Sequence, residues 1–375
     1  MTHPAQAANA EHNTGATSGT GAPSGANGHL APAAAEQAPR GHASTDQPQH
    51  NPASGDPVPI EEVGPAALRI VENIERVIAG KYEVIRLGVT VLLAEGHLLV
   101  EDVPGVGKTT FAKALARSID CSVRRLQFTP DLLPSDVTGV SIYNAESTDF
   151  EFKPGPVFAN IVLGDEINRA SPKTQAALLE CMAERQVTVD GTRYELQSPF
   201  LVLATQNPVE MEGTYALPEA QRDRFTAKIS LGYPDRMAEI AMLSDQTTSD
   251  PLASLQPVSD AAQIRALIEA VRRVHVVESV KNYVVALAEA TRNHPEIRLG
   301  ASPRASLHLL RTAKSVAAMA GRDYVVPDDV QQLAVPVLAH RLIPAAAATV
   351  AGRSPEDLTA EVVAKVPIPA SSQRV

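Results

Sequence analysis

The sequence predicts an α/β protein: a doubly wound parallel sheet of five strands, followed by a small all-helical domain. Three observations carry that prediction. Up to about residue 235, short apolar runs alternate with stretches of helical period, the pattern of strands with helices on both faces of a sheet. Two of the runs, Ala159–Gly164 and Phe200–Thr205, are apolar almost throughout, as strands buried on both faces must be. Beyond Pro234-Asp235 only helical periods remain.

Taken in order, residues 1 to 60 are mostly Ala, Gly, Pro, Ser, Thr, His and Asn. Such a segment buries too little surface to offset the entropy of ordering it, so a disordered tail is expected. Its scattered histidines read as part of a solvated linker. From Pro65 the chain turns globular. Leu68, Val71, Ile74 and Ile78 recur on one helical stripe, and Val84, Leu87, Val91 and Leu92 on a second. A strand, His97 to Val100, follows. Ser122–Gln127 reads as another, Gly139–Phe152 as a hairpin, and Val187–Leu196 as a hairpin turning on Asp190-Gly191. Ser171-Pro172 supplies the N-cap and first residue of a helix. A short helix, Leu217 to Arg224, and a fifth strand, Thr226 to Leu231, close the sheet. Helices are then expected at about 236–245, 260–273, 279–292, 303–320 and 327–341, the fourth with Leu307, Leu310, Lys314 and Ala317 on one face. The last twenty or so residues show no period and read as a tail.

The 375 residues carry a formal charge of −10, which argues against a large nucleic-acid surface because phosphate contacts need clustered Lys and Arg. Cys121 and Cys181 lack metal-ligand spacing and read as small apolar fillers in a reducing compartment. No apolar run approaches a membrane span, and the N-terminus lacks the features of a signal peptide, so a cytoplasmic protein is expected.

The chemistry concentrates at strand ends. Between the first strand and the helix Lys108–Arg117 lies Pro104-Gly105-Val106-Gly107-Lys108-Thr109-Thr110. Strand, glycine loop, Lys-Thr and helix form the context of a phosphate-binding loop, whose backbone N–H groups and helix N-terminus favour oxyanions. Lys108 would reach the β- and γ-phosphates of a nucleotide and the Thr109 hydroxyl would ligate Mg²⁺. The first glycine of the usual pattern is replaced by Asp102, whose carboxylate must therefore point away from the phosphates. Asp165, ending a buried strand, would hold Mg²⁺, and Glu166 would orient and deprotonate the attacking water. Asn207 could hold that water or the γ-phosphate. Arg222 and Arg224, before the last strand, suit a phosphate through their planar forks.

Together with Gln127–Asp136, Lys153–Phe158 and Gly300–Ala305, these stretches resemble the MoxR family of AAA+ ATPases over residues 62 to 345. That resemblance implies an AAA+ α/β nucleotide-binding domain at 61–235, a helical lid at 236–350 and a C-terminal tail at 351–375. It implies an ATP hydrolase needing ATP and Mg²⁺ and acting, chaperone-like, on the assembly or maturation of partner proteins. It makes Asn207 the sensor-1 residue, Arg304 a sensor-2 residue reaching over from the lid, and Arg224 an arginine finger for the neighbouring subunit. Arg222 stands where an apolar residue is usual, so either arginine could be the finger. A ring follows, by likeness a hexamer, with the Gly139–Phe152 hairpin facing its axial region and a lid that shuts on ATP binding. The expected partner is a client or adaptor protein, with von Willebrand factor A-domain proteins the adaptors often encoded near such ATPases. Two other classes were open to this composition: a DNA-acting AAA+ motor, and a nucleotide-gated scaffold with little hydrolysis.

Overall fold

The computed structural model describes residues 57–103, 105–207, 215, 217–234, 236–237, 239–240 and 251–369. Pro104, nearly all of the expected N-terminal tail and most of the expected 236–245 helix lie outside them. Helices α1 (Val63–Glu75) and α2 (Tyr82–Leu93) precede strand β1 (Leu98–Glu101), helix α3 (Lys108–Ser118) and strand β2 (Val123–Gln127). A short helix α4 (Pro134–Thr138) leads into the hairpin β3 (Gly139–Asn144) and β4 (Asp149–Pro154). Strand β5 (Ile161–Asp165), helix α5 (Pro172–Glu184), hairpin β6 (Gln186–Val189) and β7 (Thr192–Glu195), strand β8 (Leu201–Gln206), the one-turn helix α6 (Glu219–Arg222) and strand β9 (Ala227–Ile229) complete this part.

The five expected sheet strands form one sheet, in the order β2-β5-β8-β1-β9, with every pair parallel. Parallel pairing puts all five strand starts on one edge and all five ends on the other. That divides the functional residues in two, because β1 alone is about 13 Å long at roughly 3.3 Å per residue.

The helical region contains Ala261–Arg272, Glu278–Arg292, Pro303–Met319 and Pro327–Leu338. Its apolar faces join those of α1, α2, α3 and one face of the sheet in a single continuous core, and Thr90 of α2 donates to Met319 Sδ at 3.5 Å. A second core packs α5 against the other face.

Three expectations change. In α1 the buried face is Ala67, Ile70, Val71 and Ile74, and Leu68 is exposed: the helix starts at Val63, so the 63/67/70/74 stripe faces the core. In Pro303–Met319 the core takes Ala305, Leu309, Ala313 and Val316, whereas Leu307, Leu310 and Lys314 line a cavity. The C-terminal segment, expected as a tail from residue 351, contains the helix Pro355–Lys365, capped by Ser354 and anchored by Leu358 and Val362. Two apolar anchors in one short helix give too little period to be read from sequence.

His97 fastens the amino edge of the sheet. Its Nδ1 accepts from the Val202 N–H at 3.0 Å and its Nε2 lies 3.1 Å from the Met182 carbonyl, which needs a neutral ring protonated at Nε2. Burial holds its pKa down at about 4, and burial with nearby Arg341 holds His340 well below its ordinary value. Both rings are neutral in the fold and protonate on unfolding once the pH is below about 6.5. Their stabilisation is complete above that pH and declines as pH falls towards the folded values, by roughly 1.4 kcal/mol per pH unit for each histidine. Urea unfolding should therefore give a smaller free energy at pH 5 than at pH 7; equal values would contradict the neutral state of the two rings in the fold.

Candidate functional site

The carboxyl edge of the sheet gathers most of the expected chemistry. Gly105 and Gly107 have φ of +88° and +96°, and the space a Cβ would fill at each is open. This left-handed backbone turns the loop into α3 and suits glycine. Gly107 is the N-cap of α3 and has no side chain to cap it, so the first N–H groups of an eleven-residue helix face the loop uncapped by their own N-cap residue. Lys108 Nζ donates to the Asp102 carbonyl at 2.8 Å, which holds it across the loop. The Asp102 carboxylate turns the other way, accepting from Ser230 Oγ at 3.0 Å, the Leu231 N–H at 2.5 Å and the Gly232 N–H at 3.2 Å. The loop thus carries no carboxylate where phosphate would sit.

Asp165 ends β5, largely buried, and accepts from Thr205 Oγ1 at 3.1 Å and from Arg125 Nε at 2.7 Å. Glu166 follows with φ +58°, a conformation that costs a non-glycine residue roughly 1–3 kcal/mol and aims its side chain differently from the strand's. Its N–H donates to the same Thr205 Oγ1 at 2.9 Å. Its carboxylate accepts from Gln127 Nε2 at 3.0 Å and pairs with Arg169 at 3.1 Å. Asn207 is buried just beyond the end of β8. Thr205, Gln127, Arg125 and Arg169 were not assigned from sequence. Gln127, Arg169 and Thr205 fall inside the resembling stretches, which was the available signal; the contacts of Gln127 and Thr205 depend on strands brought alongside by the sheet.

No group of three or more His, Cys, Asp or Glu able to hold a metal occurs among the described residues. The Asp165 carboxylate and the Thr109 hydroxyl are oxygen donors of the kind Mg²⁺ takes, an ion that completes its shell with phosphates and water. Arg125 is half-exposed and can leave Asp165 without exposing apolar core.

Arg224 and Arg304 lie elsewhere. Both line a cavity of about 680 Å³ at the amino edge of the sheet, with Gly96, His97, His308 and Arg311. None of its lining residues belongs to the glycine loop or to the Asp165–Glu166 pair. Pro303–Met319 packs against α1 and α2, and Arg304, at its start, lines this cavity and not the glycine loop. Arg224 Nη1 donates to the Leu179 carbonyl at 2.9 Å, and Arg222, outside the cavity lining, has its Nε buried without a hydrogen-bond partner among the described residues. His308 is held down at about 3 by burial and by Arg341, so it adds no charge near neutral pH. Cys121 and Cys181 are free, with thiols pushed up to about 11 and about 12 by burial, and neither is a nucleophile at neutral pH.

Residues 97–227 match the family model described as "ATPase family associated with various cellular activities (AAA)", and 289–362 match an AAA lid domain. Chaperone MoxR1 of Mycobacterium tuberculosis is 38% identical over 362 residues, 94% of this chain and 93% of its own. The uncharacterised protein YeaC of Bacillus subtilis is 50% identical over 315 residues, 84% of this chain and 98% of its own. A crystal structure from Cytophaga hutchinsonii superposes with a TM-score of 0.77 at 39% identity, covering 83% of this chain and 97% of that one. Sheet order, glycine loop and relatives converge, and the chain belongs to the MoxR family of AAA+ ATPases.

Proposed function

We propose that this chain hydrolyses ATP in a ring of identical subunits and turns hydrolysis into motion applied to a partner protein. The observation that carries the reading is the division of the sheet: glycine loop, Asp165, Glu166 and Asn207 at the carboxyl edge, Arg224 and Arg304 at the other. Arginines on the edge opposite their own loop serve the phosphates of another copy. A site completed by a neighbour requires head-to-tail contacts, which close into a ring or run on as a helix; the family likeness favours a ring of six subunits.

Within one site, Lys108 and the loop N–H groups would bind the β- and γ-phosphates. Thr109 and Asp165 would hold Mg²⁺, which neutralises phosphate charge when bound. Glu166 would take the proton of the attacking water, and Asn207 would orient that water. Arg224 is favoured over Arg222 as the finger because it lines the open cavity. A protein client accords with the name of the M. tuberculosis relative and with the β3–β4 hairpin, which exposes Val140, Ile142, Tyr143 and Phe150. A von Willebrand factor A-domain adaptor is the partner class that the family likeness brings.

Lys108→Ala should abolish binding of a fluorescent ATP analogue, because it removes the charge facing the β- and γ-phosphates. Unchanged affinity would remove the glycine loop from the nucleotide site.

A further inference from the structure

Arg341 is the most completely enclosed cation of the helical region, its side chain 2% exposed. Its Nε donates to Asp223 Oδ1 at 3.0 Å. Its Nη2 donates to the carbonyls of Phe225 at 2.5 Å and Asp223 at 3.3 Å, and its Nη1 to that of Thr226 at 3.3 Å and to that of Val337. Asp223, Phe225 and Thr226 among these acceptors bracket Arg224 on both sides. The same Asp223 Oδ1 accepts from Ser302 Oγ at 2.8 Å. Ser302 is the N-cap of Pro303–Met319 and stands two residues before Arg304. Nη2 also donates to His308 Nδ1 at 2.7 Å, one turn past Arg304, and His340 Nε2 lies 3.2 Å from the Phe225 carbonyl. One guanidinium therefore binds the turn that carries Arg224 to the helix that carries Arg304.

We propose that Arg341 is a positioning residue for hydrolysis: through Asp223 and Ser302 it presents Arg224 and Arg304 to the neighbouring subunit as one rigid pair. This rests on the reading that Arg224 acts in trans. The turn it grips lies between a one-turn helix and a three-residue strand, so local structure alone holds it weakly. Three of the acceptors are that turn's own carbonyls, which a planar five-donor fork can satisfy together and a lysine ammonium cannot. A displacement of about 1 Å in a group that meets the transition state can cost 10²-fold in rate.

The test uses full-length Arg341→Lys, with Asp223→Asn as a second variant that keeps shape and removes the ion pair. Each should bind a fluorescent ATP analogue within about twofold of wild type while kcat falls on the order of 10²-fold. Mixed with Glu166→Gln under subunit exchange, each should regain activity, because its intact Glu166 then meets a well-held Arg224 from the other chain. Mixed with Arg224→Ala, neither should. Unchanged kcat in both variants, or recovery with Arg224→Ala, overturns the proposal, as does failure to recover with Glu166→Gln when Arg224→Ala does recover with it. Should Arg341→Lys not fold, Asp223→Asn decides by the same criteria. If Arg224→Ala itself gains nothing from Glu166→Gln although subunits exchange, the trans reading has failed, and the positioning role falls with it.

Discussion

Arg224→Ala is expected to bind ATP normally and to hydrolyse it about 10³-fold or more slowly, the scale on which arginine fingers act in GTPases. The reason is positional. Arg224 precedes β9 at the amino edge, beside Thr226, whose N–H donates to the His97 carbonyl at 2.8 Å, while its own glycine loop opens from the far end of β1. Removing it leaves every group of its own nucleotide site in place and takes charge stabilisation from the next subunit's transition state. Arg222→Ala is the control: it should change turnover far less, since Arg222 does not line the cavity. Phosphate-release rates of the two variants at saturating ATP decide the matter. Equal losses, or a greater loss for Arg222→Ala, would reassign the finger.

Glu166→Gln should also bind ATP and lose roughly 10²- to 10⁴-fold in turnover, the usual contribution of a general base. The amide keeps the shape and can still bond to Gln127 and Arg169 after rotation; what it loses is basicity. A variant within about threefold of wild type would leave Glu166 without that role. The two variants fail for different reasons located in different subunits. Mixed under exchange conditions, they create interfaces joining an intact Glu166 to an intact Arg224, and part of the activity should return. No recovery despite proven exchange would place the finger in cis or on another residue.

Much of this site was legible in the sequence because its signals are local. Short apolar runs such as Phe200–Thr205 read as buried strands, and Gly105, Gly107 and Lys108 lie within one turn of chain. Even the placement of Asp102 followed from charge, since a carboxylate among the phosphates would oppose binding. The location of Arg304 was not legible. It depends on which surface the Pro303–Met319 helix packs against, and α1, more than 200 residues earlier, helps decide that. Arg341 was invisible for the same reason: its partner Asp223 is 118 positions away, and nothing local distinguishes it from a solvated helix-end cation.

The single core running from the sheet through α1 and α2 into the helical region has a mechanical consequence. A lid swinging on a hinge would have to part the helical region from α1 and α2, and each apolar side chain so exposed costs about 1.5–3 kcal/mol. On the proposed function, the subunit would then act as a stiff lever rather than a jaw. In the proposed ring, work delivered at the glycine loop would leave through the contacts between subunits, and the ring rather than the chain would be the part that bends.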